Sequence, residues 1–293
     1  MKILILLIIM FGYGCLLSVE AEAAEYGVVQ TPAPILNRSD FNAIFGGAGG
    51  IDLKTDRCGQ VRELEFIALP GSILTLLNKQ RAGTADIYQI ETSEYVALPG
   101  TKLYVDGRFI HVVRTAPGPR QRVLPSRNKV IVTLRTSVGS PYVWGGNVLS
   151  GIPELTKWFY KGVDNDSRLT LAGLDCSGLL YHATNGWTPR NTSQLISFGQ
   201  GVVIAGMQAE DIAKALQPLD LIVWNGHVVI VLDRQTTIES RLACGKPGNG
   251  GVVTTPLMQR LTEVMRTRRP VDVWPPGQKH QDCFVVRRWY PQE

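Results

Sequence analysis

Histidine is scarce in this chain, four in 293 residues, and the scarcity limits which chemistry the protein can carry. Its cysteines and histidines do not fall at zinc-ligand spacing, so no metal or other cofactor is expected. Lys and Arg exceed Asp and Glu by a formal net charge of +5, yet no block of them is dense enough to name nucleic acid as the partner. The densest run, RTRR at Arg266–Arg269, reads as a solvated helix end. GGAGG at Gly46–Gly50 lacks the following Lys-Ser/Thr of a phosphate cradle and reads as a loop. DND at Asp164–Asp166 lacks the glycine and distal glutamate of a calcium loop and reads as a turn.

Past the N-terminus there is no apolar run long enough to cross a bilayer. The first residues, MKILILLIIMFGYGCLL and then SVEAEAAEYG, form a lysine, an apolar run and a small-residue region. This is the pattern of a secretory signal peptide covering 1–24, cleaved after Ala23 or Ala24. The run is short for a retained anchor. Gly12-Tyr13-Gly14 before Cys15 lacks the aliphatic residue that precedes a lipid-modified cysteine. The expectation is an exported protein with no stable membrane insertion once the leader is removed. The sequence sets no oligomeric state.

With 44% hydrophobic and 19% charged residues, the chain can bury a real core. Residues 25–125 carry short apolar runs split by Gly, Pro and charge, such as LEFIALPGSILTLL and TKLYVDGRFIHVV, which predict a small all-β barrel. TAPGPRQRVLPSRN at Thr115–Asn128 reads as a linker. KVIVTLRTSVG from Lys129 is β-branched, and propensity alone favours a strand. The aromatic trio Trp158-Phe159-Tyr160 reads as core. CSGLLYHATNG predicts a short helix ending at Gly186, and TPRNTSQLISFG another, capped by Thr192 or Ser193. QPLDLIVWNGHVVIVLD and TTIESRLA predict strands, PLMQRLTEVMRT a helix, and CFVVRRW a closing strand. Helices first and then a run of strands argue an α+β unit with an antiparallel sheet over 126–293.

Cys176 stands where a helix starts, between Asp175 and Ser177, and a helix N-terminus lowers a thiol's pKa. Of the four histidines, His111 lies in the N-terminal part and His280 in a Pro- and charge-rich tail. His182 is six residues past Cys176, about 240° around one helix. His227 remains as the base, at the mouth of the apolar strand HVVIVLD. Glu239 faces His227 if the hairpin turns around Asp233, and a carboxylate there orients the imidazole; another loop length puts Leu242 in its place. Four cysteines survive leader removal. With Cys176 as nucleophile, the expected bridge is Cys244–Cys283, leaving Cys58 buried and inert.

PYVWGGN, LDCSGLLY, TPRNTSQ, PLDLIVW and HVVIVLD, in that order over Lys129–Ser240, resemble the NlpC family of bacterial cell-wall cysteine peptidases, which are compact and papain-like. The N-terminal part resembles a bacterial SH3-like domain. The resemblance implies Cys176 as nucleophile and His227 as base, a helix rather than a strand at 129–138, and Tyr142 beside the nucleophile. It implies that Asp175 and Ser177 help hold the substrate's free amine. The implied partners are peptidoglycan peptides or intact cell wall, and the place of action the periplasm or the wall. Members with an SH3-like domain cut the bond between γ-D-glutamate and a diamino acid. In some, that domain closes the cleft so that only a free N-terminal L-alanine fits, and Glu65 or Tyr95 would serve so here. The third catalytic position is commonly His, Asn or Gln, and Glu239 departs from that. The segment between Asn147 and Leu174 is longer than the family implies and would wall the cleft. The alternatives are an amidase or acyltransferase on the same frame, or a non-catalytic wall-binding module.

Overall fold

A computed structural model describes residues 25–162, 166–246, 250–277 and 282–291. The leader expected over 1–24, two residues of the DND turn and His280 lie outside them. No helix among the described residues is long and apolar enough to cross a membrane.

The fold is α+β, with two mainly antiparallel sheets. The first is built from β1 (Glu25–Val29), β2 (Ala33–Leu36), β3 (Leu64–Ala68), β4 (Ile73–Ala82), β5 (Ala85–Glu91), β6 (Leu103–Asp106) and β7 (Ile110–Val113), in the order β3-β2-β6-β5-β4-β1-β7. Apart from the ten-residue β4, its strands run four to seven residues, with Gly or Pro in several of the turns between them. GGAGG falls in the turn between two short paired segments, Phe45–Gly46 and Asp52–Leu53.

After the irregular stretch 114–126 comes α1 (Arg127–Thr136). Its β-branched residues favour a strand locally, but Val130 and Leu134, one turn apart, are fully buried against Leu179, Leu180 and Ala183. Tertiary burial overrides propensity here. Ser126 caps the start by accepting from the Lys129 N–H. Next come α2 (Pro153–Phe159), with proline at its first turn, and α3 (Cys176–Ala183).

The second sheet contains β8 (Gln200–Val202), β9 (Leu221–Trp224), β10 (His227–Val231), β11 (Thr236–Leu242), β12 (Gly250–Pro256) and β13 (Cys283–Arg288), in the order β8-β13-β9-β10-β11-β12. Arg269–Pro270 adds a short parallel pairing to β13. Helices α4 (Ala209–Ala215) and α5 (Leu257–Met265) cover one face, where Leu257, Leu261 and Val264 pack on Val229 and Val231. Helices α1 and α3 cover the other, on Val228 and Ile230. Burial on both faces explains the unbroken apolar run of β10.

The described residues of 148–172 dock on the first sheet rather than standing apart. Ile152, Leu155, Phe159, Leu169 and Leu171 belong to the same buried cluster as Phe41, Phe66 and Phe109. Phe159 lies 5.5 Å from the Phe45 ring, and Trp158 4.6 Å from that of Phe109. The aromatic trio is core, as expected.

The disulfide differs from expectation. Cys58 pairs with Cys244, 186 residues away, while Cys283 is a buried free thiol inside β13. Cys283 sits in the apolar run CFVV, whose side chains are all buried, so it serves as packing. Cys58 sits on a turn of the N-terminal part that docks beside Tyr142. There Gln60 donates to the Tyr142 carbonyl (3.4 Å) and accepts from the Trp144 N–H (2.8 Å). The bridge therefore joins the first sheet's loop to the second sheet. Cys58→Ser or Cys244→Ser should lower stability by about 2–5 kcal/mol. Thermal unfolding with and without reductant checks this: reduction should lower the wild-type midpoint and leave either variant's unchanged.

Candidate active site

The site is assembled at the start of α3. Asp175 is the N-cap, and its Oδ1 accepts from the Gly178 N–H at 2.6 Å. Cys176 is thus the first helical residue, where backbone N–H groups lack partners within the helix. Gly178 lets this turn press against the 142–147 loop: a Cβ there would stand 1.9 Å from the Gly146 carbonyl oxygen. The glycine of DCSG is required by that contact.

The cysteine sulfur meets the backbone on both sides of His227. Sγ is 3.8 Å from the Gly226 carbonyl oxygen, and the Val228 N–H reaches it from the other side. His227 Nε2 is 2.6 Å from Glu239 Oε2, which leaves Nδ1 as the ring nitrogen not held by the carboxylate. The hairpin register pairs Ile230 with Ile238 and Val231 with Thr237. Continued, it sets Arg241 opposite His227 and brings Glu239 in on the diagonal of the same face, a reach long side chains manage. The turn is two positions off the symmetric one, and an even shift keeps Glu239 on the histidine's face.

Burial governs the ionisation of these groups. Loss of solvent pushes the Cys176 thiol up to about 12; Asp175 adds to this, while Arg190 and the Ser177 and Val228 N–H groups oppose it. Desolvation outweighs the helix start, so the sulfur ionises only with a proton acceptor beside it. Burial also pushes Glu239 upward, but His227 and Arg260 outweigh it and hold its carboxyl below the usual range. Tyr142 is raised by burial and by the negative field of Cys176 and Asp175.

A pocket of about 140 Å³ opens over Cys176, lined by Tyr142, Trp144, Asp175, Ser177, Arg190 and, from the first sheet's side, Glu65 and Tyr95. Tyr95 stacks on Phe66 at 4.6 Å and donates to Glu65 Oε2 at 2.6 Å. Asn37 donates to Glu65 Oε1 at 2.8 Å. Among the described residues, Glu65 has no cation at ion-pair distance. A roomier cavity of about 500 Å³ shares Tyr142 with this pocket but contains neither Cys176 nor His227. Ser167 to Ala172 of the long segment wall that second cavity, not the cysteine pocket.

All six residues singled out from the sequence lie in this region. Cys176, Tyr142, Asp175 and Ser177 line the pocket; His227 and Glu239 do not line it but pair with each other next to Gly226, which does. Asp175, however, already has a cation. Arg190, almost fully buried, donates to Asp175 Oδ2 at 2.6 Å and Oδ1 at 3.1 Å, and to Ser177 Oγ at 2.9 Å. Burial disfavours Arg190's charge, but Asp175 outweighs it and the guanidinium's pKa is raised. Two functional residues escaped the sequence reading. Arg190 lies inside TPRNTSQ, where an arginine in a loop reads as solvated. Arg260, on α5, is 2.7 Å from Glu239 Oε1 and donates to Oε2 at 2.8 Å. Nothing in the helix pattern distinguishes it from a surface arginine.

Arg190→Met should cost about 3–5 kcal/mol, because it leaves the Asp175 carboxylate buried and unpaired. Arg190→Met combined with Asp175→Asn should recover part of that loss. Urea unfolding of the two variants against wild type measures both.

No family model matches the chain, and no curated protein does. Solved structures do match. One is an NlpC/P60 family protein from Bacillus cereus, 17% identical over 92% of this chain, with a TM-score of 0.34. The chain spans 64% of that protein's length. NlpC2 from Trichomonas vaginalis is 15% identical over 91% of this chain and 73% of its own, with a TM-score of 0.30. RipD from Mycobacterium tuberculosis is described as a non-catalytic NlpC/p60 domain protein adapted to peptidoglycan binding. It is 21% identical over 44% of this chain and 92% of its own, with a TM-score of 0.29.

Proposed function

We propose that the chain is an exported, NlpC-type cysteine peptidase that hydrolyses the γ-D-glutamyl–diamino acid bond of cell-wall stem peptides. In this reading the second sheet with α1 and α3 is a papain-like catalytic domain, the first sheet an SH3-like one. The carrying observation is one pocket holding a thiol at a helix start, bracketed by the backbone flanking a histidine whose far nitrogen is 2.6 Å from a carboxylate.

The chemistry follows from that arrangement. His227 takes the thiol proton as Sγ attacks the γ-glutamyl carbonyl carbon. The oxyanion develops at the start of α3, where the Cys176 N–H is the nearest helix-terminal donor. The protonated imidazole passes its proton to the leaving amine of the diamino acid, leaving a thioester on Cys176. His227 then activates water, and hydrolysis frees the thiol. The high resting position of the thiol makes this a concerted removal of the proton as substrate seats.

Glu65 is the group for the free N-terminal amine. Its carboxylate, held by Tyr95 and Asn37, lines the pocket from the first sheet's side. The ammonium role implied for Asp175 passes to Glu65, since Arg190 already offsets Asp175. The Glu65 carboxylate at the pocket suits a free peptide amine, so released fragments with a free N-terminus are the substrate class of this reading. The binding-module alternative draws on the same high thiol position, which is also what an inert cysteine shows.

Mass spectrometry of L-Ala-γ-D-Glu-diaminopimelate incubated with the protein separates the two. Free diaminopimelate from wild type and none from Cys176→Ala establishes the peptidase. N-acetylated peptide should remain intact. Glu65→Gln should raise KM for the free-amine peptide about 10–100-fold, the loss of one charge-assisted hydrogen bond, with kcat little changed. Absence of cleavage with retained peptide binding would establish the binding module instead.

A further inference from the structure

Glu239 departs from the neutral side chains usual at its position, and the structure supplies what balances it. Arg260 reaches across from α5: its Nη2 donates to Glu239 Oε2 at 2.8 Å, its Nε stands 2.7 Å from Oε1 as an ion pair without hydrogen-bond geometry, and its Nη1 donates to Glu263 at 3.3 Å. Arg260 is little exposed, at 12% of its side chain, and Glu239 is 1% exposed. A buried carboxylate beside an imidazole strongly favours the imidazolium. One that already holds a guanidinium carries no net charge toward its neighbour.

We propose that Arg260 is a positioning residue of this active site: with Glu239 it forms a net-neutral unit that holds the carboxylate against His227 Nε2 and orients the ring as an amide would. The inference rests on the peptidase reading for its purpose, but not for its test.

The other charges facing His227 do not perform this task. On β11, Arg241 stands 3.8 Å from Glu239 Oε1 and is 40% exposed, so water screens it. Arg268, just past α5, lies over the Trp224 ring at 4.6 Å; that ring in turn lies 5.0 Å from His227. On the α3 side, Cys176 is a thiol at rest and Asp175 is matched by Arg190. Glu263 meets Arg260 from the solvent side and is 31% exposed.

The test is the NMR titration of His227, assigned by comparison with His227→Ala, in the full chain carrying Cys176→Ala so that the thiol does not contribute. Arg260→Met should move the His227 midpoint up by about one pH unit or more, since Glu239 is left unbalanced. Glu239→Gln should move it down by a similar amount, since Arg260 is left unbalanced. The double variant should return to within about half a unit of the parent, the signature of a neutral pair. With Cys176 restored, the low-pH limb of kcat/KM, set by the unprotonated base, should move in the same directions. Where Arg260→Met does not fold, Arg260→Lys keeps the charge and must titrate as the parent does, while Glu239→Gln still moves down. An unchanged midpoint in Arg260→Met, or a double variant that titrates with Glu239→Gln, overturns the proposal. Because the titration needs no peptide, this outcome is distinct from a failure to cleave any wall peptide.

Discussion

The ion pair between Arg190 and Asp175 is the interaction on which the site depends. Both groups are withdrawn from water, and the cost of doing so is recovered only because every oxygen and most of the guanidinium find partners. Asp175 uses the same carboxylate to cap α3, so the pair fixes where the helix starts and where Cys176 stands. Arg190 then continues outward to Asn147 Oδ1 at 3.0 Å. The Asn147 side chain pairs with the backbone of Ile67 in the first sheet, at 3.0 and 2.9 Å, as a neighbouring strand would. A chain of polar contacts thus runs from the first sheet to the nucleophile.

That chain has a counterpart behind the helix. Buried Glu94 accepts from Ser72 in the first sheet's turn and from Tyr181 on α3, and Arg120 of the irregular stretch 114–126 closes the group. With the Cys58–Cys244 bridge and the docked segment 148–172, the two sheets meet around the pocket at several separate places. A cleft built this way has little freedom to open. Glu65 and Tyr95 reach the pocket from the first sheet's side, so both parts of the chain contribute to its lining.

How much of this was legible follows from the physics of each element. Scarce histidines and a cysteine flanked by capping residues led to Cys176 and His227; in the structure the sulfur meets the backbone of Gly226 and Val228, on either side of that histidine. Glu239 was placed by strand parity, which survives a turn that is two positions off. The helix α1 was not legible from propensity, because its β-branched residues favour a strand and only burial of Val130 and Leu134 decides otherwise. The resemblance to known peptidases placed it where composition did not. The Cys58 partner was hidden because 186 residues separate the two thiols, and no local pattern carries such a distance. Arg190 and Arg260 were hidden for a different reason. A charged side chain reads as solvated until the carboxylate it neutralises is known to be buried.

The central claim is that Cys176 carries the acyl group of a free-amine wall peptide while His227 handles the protons. Intact-protein mass spectrometry during turnover, quenched in acid, tests it most directly. With L-Ala-γ-D-Glu-diaminopimelate, the account predicts a transient adduct of L-Ala-γ-D-Glu on Cys176, absent when the amine is acetylated. Cleavage that proceeds with no adduct, with the adduct on another residue, or undiminished in Cys176→Ala would contradict it.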